Sequence, residues 1–176
     1  GKWSDYHFFG IKSTRDFIPN PEIPVETWFS SAACCIYDAL KFRELDGFDE
    51  LFNPFYYEDA DLCFRAICKG WKCIYEPQSW AFHPNSVTIR KHSTSKQIKI
   101  IANRNKLYIN YRYLFGLNKW LFSLLLLLKL MTAWMGKSWF YKSYRLFNAE
   151  RKKFNEKNES IQTDKLAEAA QRILEQ

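Results

Sequence analysis

Glu58, Asp59 and Asp61 place three carboxylates within four positions, directly after the aromatic residues 55–57. Negative charges this close repel one another, so cations, hydrogen bonds or a helix N-terminus must stabilise them. One such carboxylate can remove the proton from an attacking hydroxyl group while another orients that hydroxyl or a metal. The same acids can also have no role beyond stabilising the first turn of a helix, by about 0.3–1 kcal/mol each.

A short helix is predicted to begin at these acids. Its apolar residues Leu62, Ala66 and Ile67 fall on one side, and Gly70 stands where a C-terminal cap belongs. The segments that flank it, 31–37, 71–75 and 79–83, have the composition of short buried strands. The fold class we expect is therefore α/β, with helices following the strands.

Upstream of these strands, prolines interrupt residues 18–27 and exclude a continuous helix, so we predict an ordered loop over residues 1–27. Residues 38–43 are predicted to form one helical turn before Gly47.

Several motifs agree in order and spacing with one enzyme family. They are Gly47-Phe48-Asp49-Glu50, Asn53-Pro54-Phe55-Tyr56-Tyr57-Glu58-Asp59-Ala60-Asp61-Leu62, Arg65-Ala66, Lys69-Gly70-Trp71-Lys72, Tyr75-Glu76-Pro77, His83 and Asn103-Arg104-Asn105. Over about residues 28 to 112 the chain resembles the second half of family 2, GT-A-type inverting glycosyltransferases. The resemblance implies the second half of a GT-A nucleotide-sugar transferase sheet, followed by C-terminal helices.

The resemblance also implies roles for single residues. Asp59 would be the catalytic base and Glu58 would help to bind the acceptor, a glycan or a lipid-linked saccharide. His83 would reach the divalent metal, Mn²⁺ or Mg²⁺, that holds the diphosphate of the nucleotide-sugar donor. A lone histidine is more often a hydrogen-bonded structural residue than a ligand. The position of His83, just after the predicted strand and before Pro84, makes the two interpretations equally good.

Further residues are candidates by type. Trp28, Tyr57 and Asp61 are candidate acceptor-binding residues, since aromatic rings stack on sugars, although core packing explains the aromatic pair equally well. Arg90, Lys91 and Arg104 are candidate ligands for the diphosphate oxygens.

The sequence also departs from the family pattern. Ala32 and Asp46 stand near positions where family members often have glycine, and Asp38 near a position that is often basic, so the acceptor pocket is expected to differ. The nucleotide-binding half of such enzymes would precede residue 1, and we expect residues 1–176 to be inactive by themselves.

The net charge of +7 arises largely from basic residues after position 90. Phosphates of a nucleotide sugar, a lipid diphosphate, anionic headgroups and nucleic acid would all satisfy this charge, as would a solvated helix face. Nucleic acid is disfavoured because the basic residues do not belong to a nucleic-acid-binding motif. The odd number of cysteines, five, with Cys34 next to Cys35, favours a reducing compartment rather than a disulfide framework. Cys63, Cys68 and Cys73 contain no CxxC pair and are predicted to be small buried residues rather than zinc ligands.

Residues 120–136 are apolar apart from Lys129 and are bracketed by tryptophans. Because Lys129 would lie within the apolar layer, we expect a helix in the membrane interface rather than a full span, with an internal helix–helix contact as the alternative. From Thr163 an apolar stripe follows, and it needs a partner surface in the same chain or another.

The sequence thus predicts three parts: 1–115, the acceptor-side half of a GT-A catalytic domain; 116–147, an apolar interfacial segment; and 148–176, a charged linker with an amphipathic helix. The expected location is peripheral, at the cytoplasmic face of a membrane. The alternative function is a non-catalytic membrane-surface binding module derived from the same fold.

Overall fold

A computed structural model describes residues 2–7, 10–15, 22–79, 81, 91, 93–133, 138–156 and 163–174. The strands are β1 (Lys2–His7), β2 (Gly10–Arg15), β3 (Val25–Thr27) and β4 (Cys73–Tyr75). The helices are α1 (Ala39–Glu44), α2 (Glu58–Cys68), α3 (Ser95–Tyr113), α4 (Gly116–Ala133), α5 (Ser138–Glu156) and α6 (Thr163–Leu174), with a 3-10 turn at Glu50–Phe52. The described part is therefore mixed α/β but mostly helical.

The described strands form two small antiparallel sheets, β1 with β2 and β3 with β4. The hairpin and β3 correct the prediction of a loop over residues 1–27. Of the predicted strand 71–75, residues 73–75 are confirmed and pair with β3, Thr27 facing Cys73. Most of the predicted strand 79–83 lies outside the described residues.

The prediction of a strand at 31–37 is wrong. Cys34 N donates to Ser31 O at 2.9 Å, which closes a turn, and no described strand pairs with this segment. Ile36 is 99% exposed, so the apolar composition of the segment does not reflect burial here.

Helix α2 ends as predicted. Gly70, at φ +81°, follows the last turn, and its N–H donates to Ile67 O at 2.8 Å. Trp71 N donates to Ala66 O at 3.0 Å, which completes a Schellman cap, a conformation that glycine adopts without a Cβ penalty. The predicted turn of helix before Gly47 is α1, whose N-cap Asp38 accepts hydrogen bonds from Leu40 N and Lys41 N.

Helices α2, α3 and α6 supply most of the core. Helix α3 begins with a capping box between Thr94 and Gln97 and packs along α5, where Tyr108 and Phe147 meet with ring centroids 5.3 Å apart. The amphipathic helix α6 finds its partner surface within the chain, on α2 and β3. Leu166 and Ala169 there are fully buried, and Arg172 pairs with the buried Glu26 at 2.9 Å.

Helix α4 is different because Ala133 is its single buried residue. Among the described residues it is the one helix long and apolar enough to cross a membrane. Its exposed apolar stripe is made of Leu117, Trp120, Leu124, Leu127, Leu128 and Met131.

Candidate functional site

The acid pair Glu58 and Asp59 occupies the first turn of α2, where the free N–H groups and the helix dipole favour negative charge. The chain enters this turn through Tyr56 and Tyr57, both in the left-handed region at φ +73° and +76°. Non-glycine residues rarely adopt this conformation. Each such residue costs of order 1–3 kcal/mol and persists only where surrounding contacts enforce it. The entry to the acid pair is therefore held in place by contacts from elsewhere.

The Asp59 carboxylate is fixed by two backbone groups. Its Oδ1 accepts from Ala60 N at 2.8 Å, and its Oδ2 accepts from Ala32 N at 3.2 Å, which joins the turn at residues 31–34 to the start of α2. The side chain remains half-buried rather than enclosed. Each carboxylate oxygen has further lone pairs, so Asp59 can still accept a proton or another hydrogen bond.

Glu58 is half-buried, and its Oε2 is buried without a hydrogen-bond partner among the described residues. Burial raises the pKa of this carboxyl above its usual value, and the charge of Asp59 raises it further, while a backbone hydrogen bond opposes both. The two neighbouring acids therefore differ: Asp59 is anchored by backbone donors, and Glu58 has a buried oxygen without a partner among the described residues.

Asp61, the third acid, points into the core and is fully buried. Its carboxylate pairs with Arg65 at 2.8 Å and with Arg112, and it accepts from the Tyr113 hydroxyl at 2.8 Å. Burial and this carboxylate raise the pKa of Tyr113 well above its usual value, so Tyr113 keeps its proton and donates it. These contacts give Asp61 a structural role, and an acceptor sugar has no path to it in the described structure.

Arg112 extends this network, because its other nitrogen pairs with the buried Asp49 at 2.9 Å. Asp49 also caps the 3-10 turn through Leu51 N. Arg65 donates to the carbonyl oxygens of Leu45 and Gly47. The three neighbouring acids therefore have different surroundings. Asp61 pairs with arginines in the core, whereas Glu58 and Asp59 are half-buried at the start of α2.

The loop that carries the acid pair is clamped by α3. The fully buried Asn105 directs its side-chain N–H₂ group at three carbonyl oxygens, those of Phe52 at 2.7 Å, Phe55 at 2.9 Å and Tyr56 at 2.8 Å. Arg104 donates to Leu51 O and Asn53 O from the same side. These bonds explain how the strained tyrosine pair is maintained.

Arg104 was predicted to be a ligand for the diphosphate oxygens. In the structure its guanidinium donates hydrogen bonds to this loop instead. The role of Asn105 was missed from sequence. The one clue in the sequence was that Asn105 shares a helix face with Tyr108. The sequence does not show which carbonyl groups the Asn105 amide would reach.

The other predicted residues are placed as follows. Trp28 is 2% exposed and packs edge-on against Phe64, so it belongs to the core. Tyr57 is half-buried against the same core, and burial raises the pKa of its hydroxyl. Lys91 is exposed, and Arg90 and His83 lie outside the described residues.

A cavity of about 290 Å³ follows the same side of α2 as Asp59. Cys63, one turn after Asp59, lines it together with Tyr37, Lys41 and Trp71. Burial raises the pKa of the Tyr37 hydroxyl, and the neighbouring Cys35 raises it further. Its mixed aromatic and polar lining is typical of small-ligand sites, and Tyr37 and Trp71 were not predicted to contribute.

Within the described residues, no three His, Cys, Asp or Glu side chains are grouped so that they could hold a metal ion. Glu58 and Asp59 provide two carboxylates, which would need further ligands from elsewhere. The described residues therefore do not form a metal centre by themselves.

Comparison with protein-family models, with curated proteins and with solved structures found no match to this chain.

Proposed function

We propose that this chain is the acceptor-side half of an inverting, GT-A-type glycosyltransferase. The observation that carries the proposal is the pair Glu58 and Asp59, held at a helix N-terminus by a strained, clamped loop. One turn further along α2, Leu62 and Cys63 line a cavity. The motif order between residues 28 and 112, and the mixed α/β fold, agree with it. The GT-A sheet itself stays a prediction of the resemblance.

In this proposal Asp59 is the general base. The acceptor hydroxyl attacks the anomeric carbon of the donor sugar, its proton moves to an Asp59 carboxylate oxygen, and the bond to the nucleoside diphosphate breaks on the opposite face. Two backbone N–H groups hold the carboxylate in one orientation, which favours proton transfer through positioning. Glu58, which is half-buried next to Asp59, would help to bind the acceptor.

The cavity along α2 would hold the acceptor, a glycan or lipid-linked saccharide, with Trp71 and Tyr37 available for stacking. The nucleotide-sugar donor would bind mainly to a nucleotide-binding half that the resemblance places before residue 1. A divalent metal, Mn²⁺ or Mg²⁺, on the donor diphosphate stays a prediction of the resemblance, as do the roles of His83, Arg90 and Lys91. No step above depends on that metal.

The enzyme would be peripheral at the cytoplasmic face of a membrane. The exposed stripe of α4 supports this placement, because a soluble surface rarely shows six large apolar side chains on one helix face. The same stripe is what favours the second candidate function, a non-catalytic module that binds a membrane surface.

The test uses the full-length protein with both halves. Asp59→Asn should lower sugar transfer by about 10²–10⁴-fold, the usual contribution of a general base, and leave nucleotide-sugar binding nearly unchanged in a titration. Glu58→Gln should raise the KM for the acceptor more than it changes kcat.

Glu44→Gln is the matched control, since it removes an exposed carboxylate that pairs with Lys69. An undiminished transfer rate in Asp59→Asn removes the base assignment. No transfer to any acceptor by the unmodified protein, with membrane binding retained, favours the non-catalytic module.

A further inference from the structure

A narrow groove separates α4 from α3 and α5, on the side of α3 opposite to the clamp. It holds about 60 Å³. Its polar lining residues are Asn103, Lys106, Asn110 and Lys129, and its apolar ones are Leu107, Phe122, Leu125, Leu126 and Phe140. Two lysines and two asparagines are among its lining residues, and no acidic residue is. The groove therefore favours an anionic ligand.

Asn103 supplies a second observation. Its side-chain nitrogen is buried and has no hydrogen-bond acceptor among the described residues, and Asn103 is one of the residues that line this groove. A buried donor without a partner costs about 1–3 kcal/mol, which an acceptor oxygen entering the groove would remove. Phosphate oxygens are strong acceptors and pair well with lysine.

The position of the groove on α4 indicates where that phosphate would come from. At 100° per residue, Phe122 and Lys129 lie on the face of α4 opposite to the exposed stripe of Leu117, Trp120, Leu124, Leu127, Leu128 and Met131. A helix of this kind buries its apolar face about 5–10 Å into the boundary between headgroups and acyl chains. The helix is about 10–12 Å across, so its opposite face stands at the height of lipid headgroups.

We propose that the groove between α3 and α4 binds the phosphate group of a membrane lipid, with Lys106 and Lys129 contributing charge and Asn103 a hydrogen bond. The inference rests on the membrane association in the proposed function but not on the transfer reaction. The phosphate can belong to a bilayer phospholipid or to a lipid-linked acceptor. For the second source, α3 would carry the lipid phosphate on one face and the loop of the acid pair on the other.

Vesicle co-sedimentation tests whether Lys106 and Lys129 contribute to lipid binding. The probes are phosphatidylcholine vesicles alone, with phosphatidylglycerol, and with polyprenyl phosphate. The double variant Lys106→Gln/Lys129→Gln should lose about tenfold or more in affinity for the anionic vesicles, since each lysine near a surface contributes about a factor of five. The matched control is Lys96→Gln/Lys142→Gln, which removes two exposed lysines of α3 and α5 outside the groove.

An equal loss in both double variants would show a diffuse basic surface and overturn the proposal. A groove-specific loss supports it, and the vesicle type that binds the unmodified chain more tightly identifies the lipid source.

Asn103→Ala tests the hydrogen bond without endangering the fold, because it removes a donor that has no described acceptor. It should bind anionic vesicles several-fold more weakly while unfolding at no lower urea concentration. In the unmodified chain, a short-chain phosphatidylglycerol should shift the Asn103 side-chain amide NMR signal, and inorganic phosphate alone should not. A comparable shift with inorganic phosphate, or no shift with the lipid, overturns the assignment. Failure of sugar transfer would not affect any of these readouts.

Discussion

The side-chain nitrogen of Asn105 lies 2.8 Å from the carbonyl oxygen of Tyr56, a residue 49 positions earlier in the chain. Through this contact α3 fixes the backbone that leads into Glu58 and Asp59. The geometry of the candidate site therefore depends on a residue of another helix, which bonds the loop that leads into the site.

Removing this amide should loosen the loop. Asn105→Ala leaves the carbonyl groups of Phe52, Phe55 and Tyr56 without their donor, and we expect the free energy of unfolding to fall by about 1–3 kcal/mol in urea denaturation. The proposed sugar transfer by the full-length protein should fall as well. Asn148→Ala, at an exposed position of α5, is the control and should change neither quantity by much. Full stability in Asn105→Ala would contradict the clamp.

The buried ion pair of Asp61 with Arg112 should matter far more than an exposed one. Asp61→Asn leaves Arg112 and Arg65 without their shared carboxylate, and breaking a buried pair from one side typically costs 3–5 kcal/mol. Because Arg112 keeps Asp49, we expect about 3 kcal/mol by urea denaturation. Glu44→Gln, which breaks the exposed pair with Lys69, should cost less than about 1 kcal/mol. A similar loss of unfolding free energy in the two variants would contradict a buried ion pair at Asp61.

The raised pKa of Glu58 predicts a pH-dependent effect of Glu58→Gln on stability. Below the usual glutamate pKa the carboxyl is protonated in both the folded and unfolded chain, so the substitution should change little. As pH rises toward the folded-state pKa, the unfolded chain loses this proton first, and the native protein loses stability.

Glu58→Gln removes that penalty, so it should unfold at a higher urea concentration than the unmodified chain at pH 7.5 but not at pH 4. The comparison needs both pH values, with Glu22→Gln at an exposed position as the control for charge removal. A stability gain that is the same at both pH values would contradict burial as its cause.

Helix α6 should contribute to the stability of the whole domain. Leu166 is fully buried against the core, and Leu166→Ala should cost about 2–5 kcal/mol through lost apolar contact and the cavity that remains. Leu117→Ala, at a 68% exposed position of α4, should have little effect in detergent-free buffer. If Leu166→Ala unfolds like the unmodified chain, α6 does not pack as described.

Local sequence was sufficient for features that neighbouring residues decide. The acids at the start of α2, its glycine cap at Gly70 and the helical turn before Gly47 follow from hydrogen bonds and dihedral preferences within a few positions. The amphipathic stripe after Thr163 likewise followed from periodicity. Composition failed at residues 31–37, where small and apolar residues suggested a strand but no partner strand lies alongside in the described structure.

Tertiary structure alone decided which acid faces which partner. Asp59 and Asp61 are two positions apart in sequence, yet one bonds Ala32 N and the other Arg112, because successive helical residues point about 100° apart and meet different neighbours. The partners of Asn105, Arg104 and α6 come from segments 49 to 146 positions away. Whether two groups form a hydrogen bond depends on their distance in space. That distance is set only when the helices pack, and it cannot be read from the separation of the two residues in sequence.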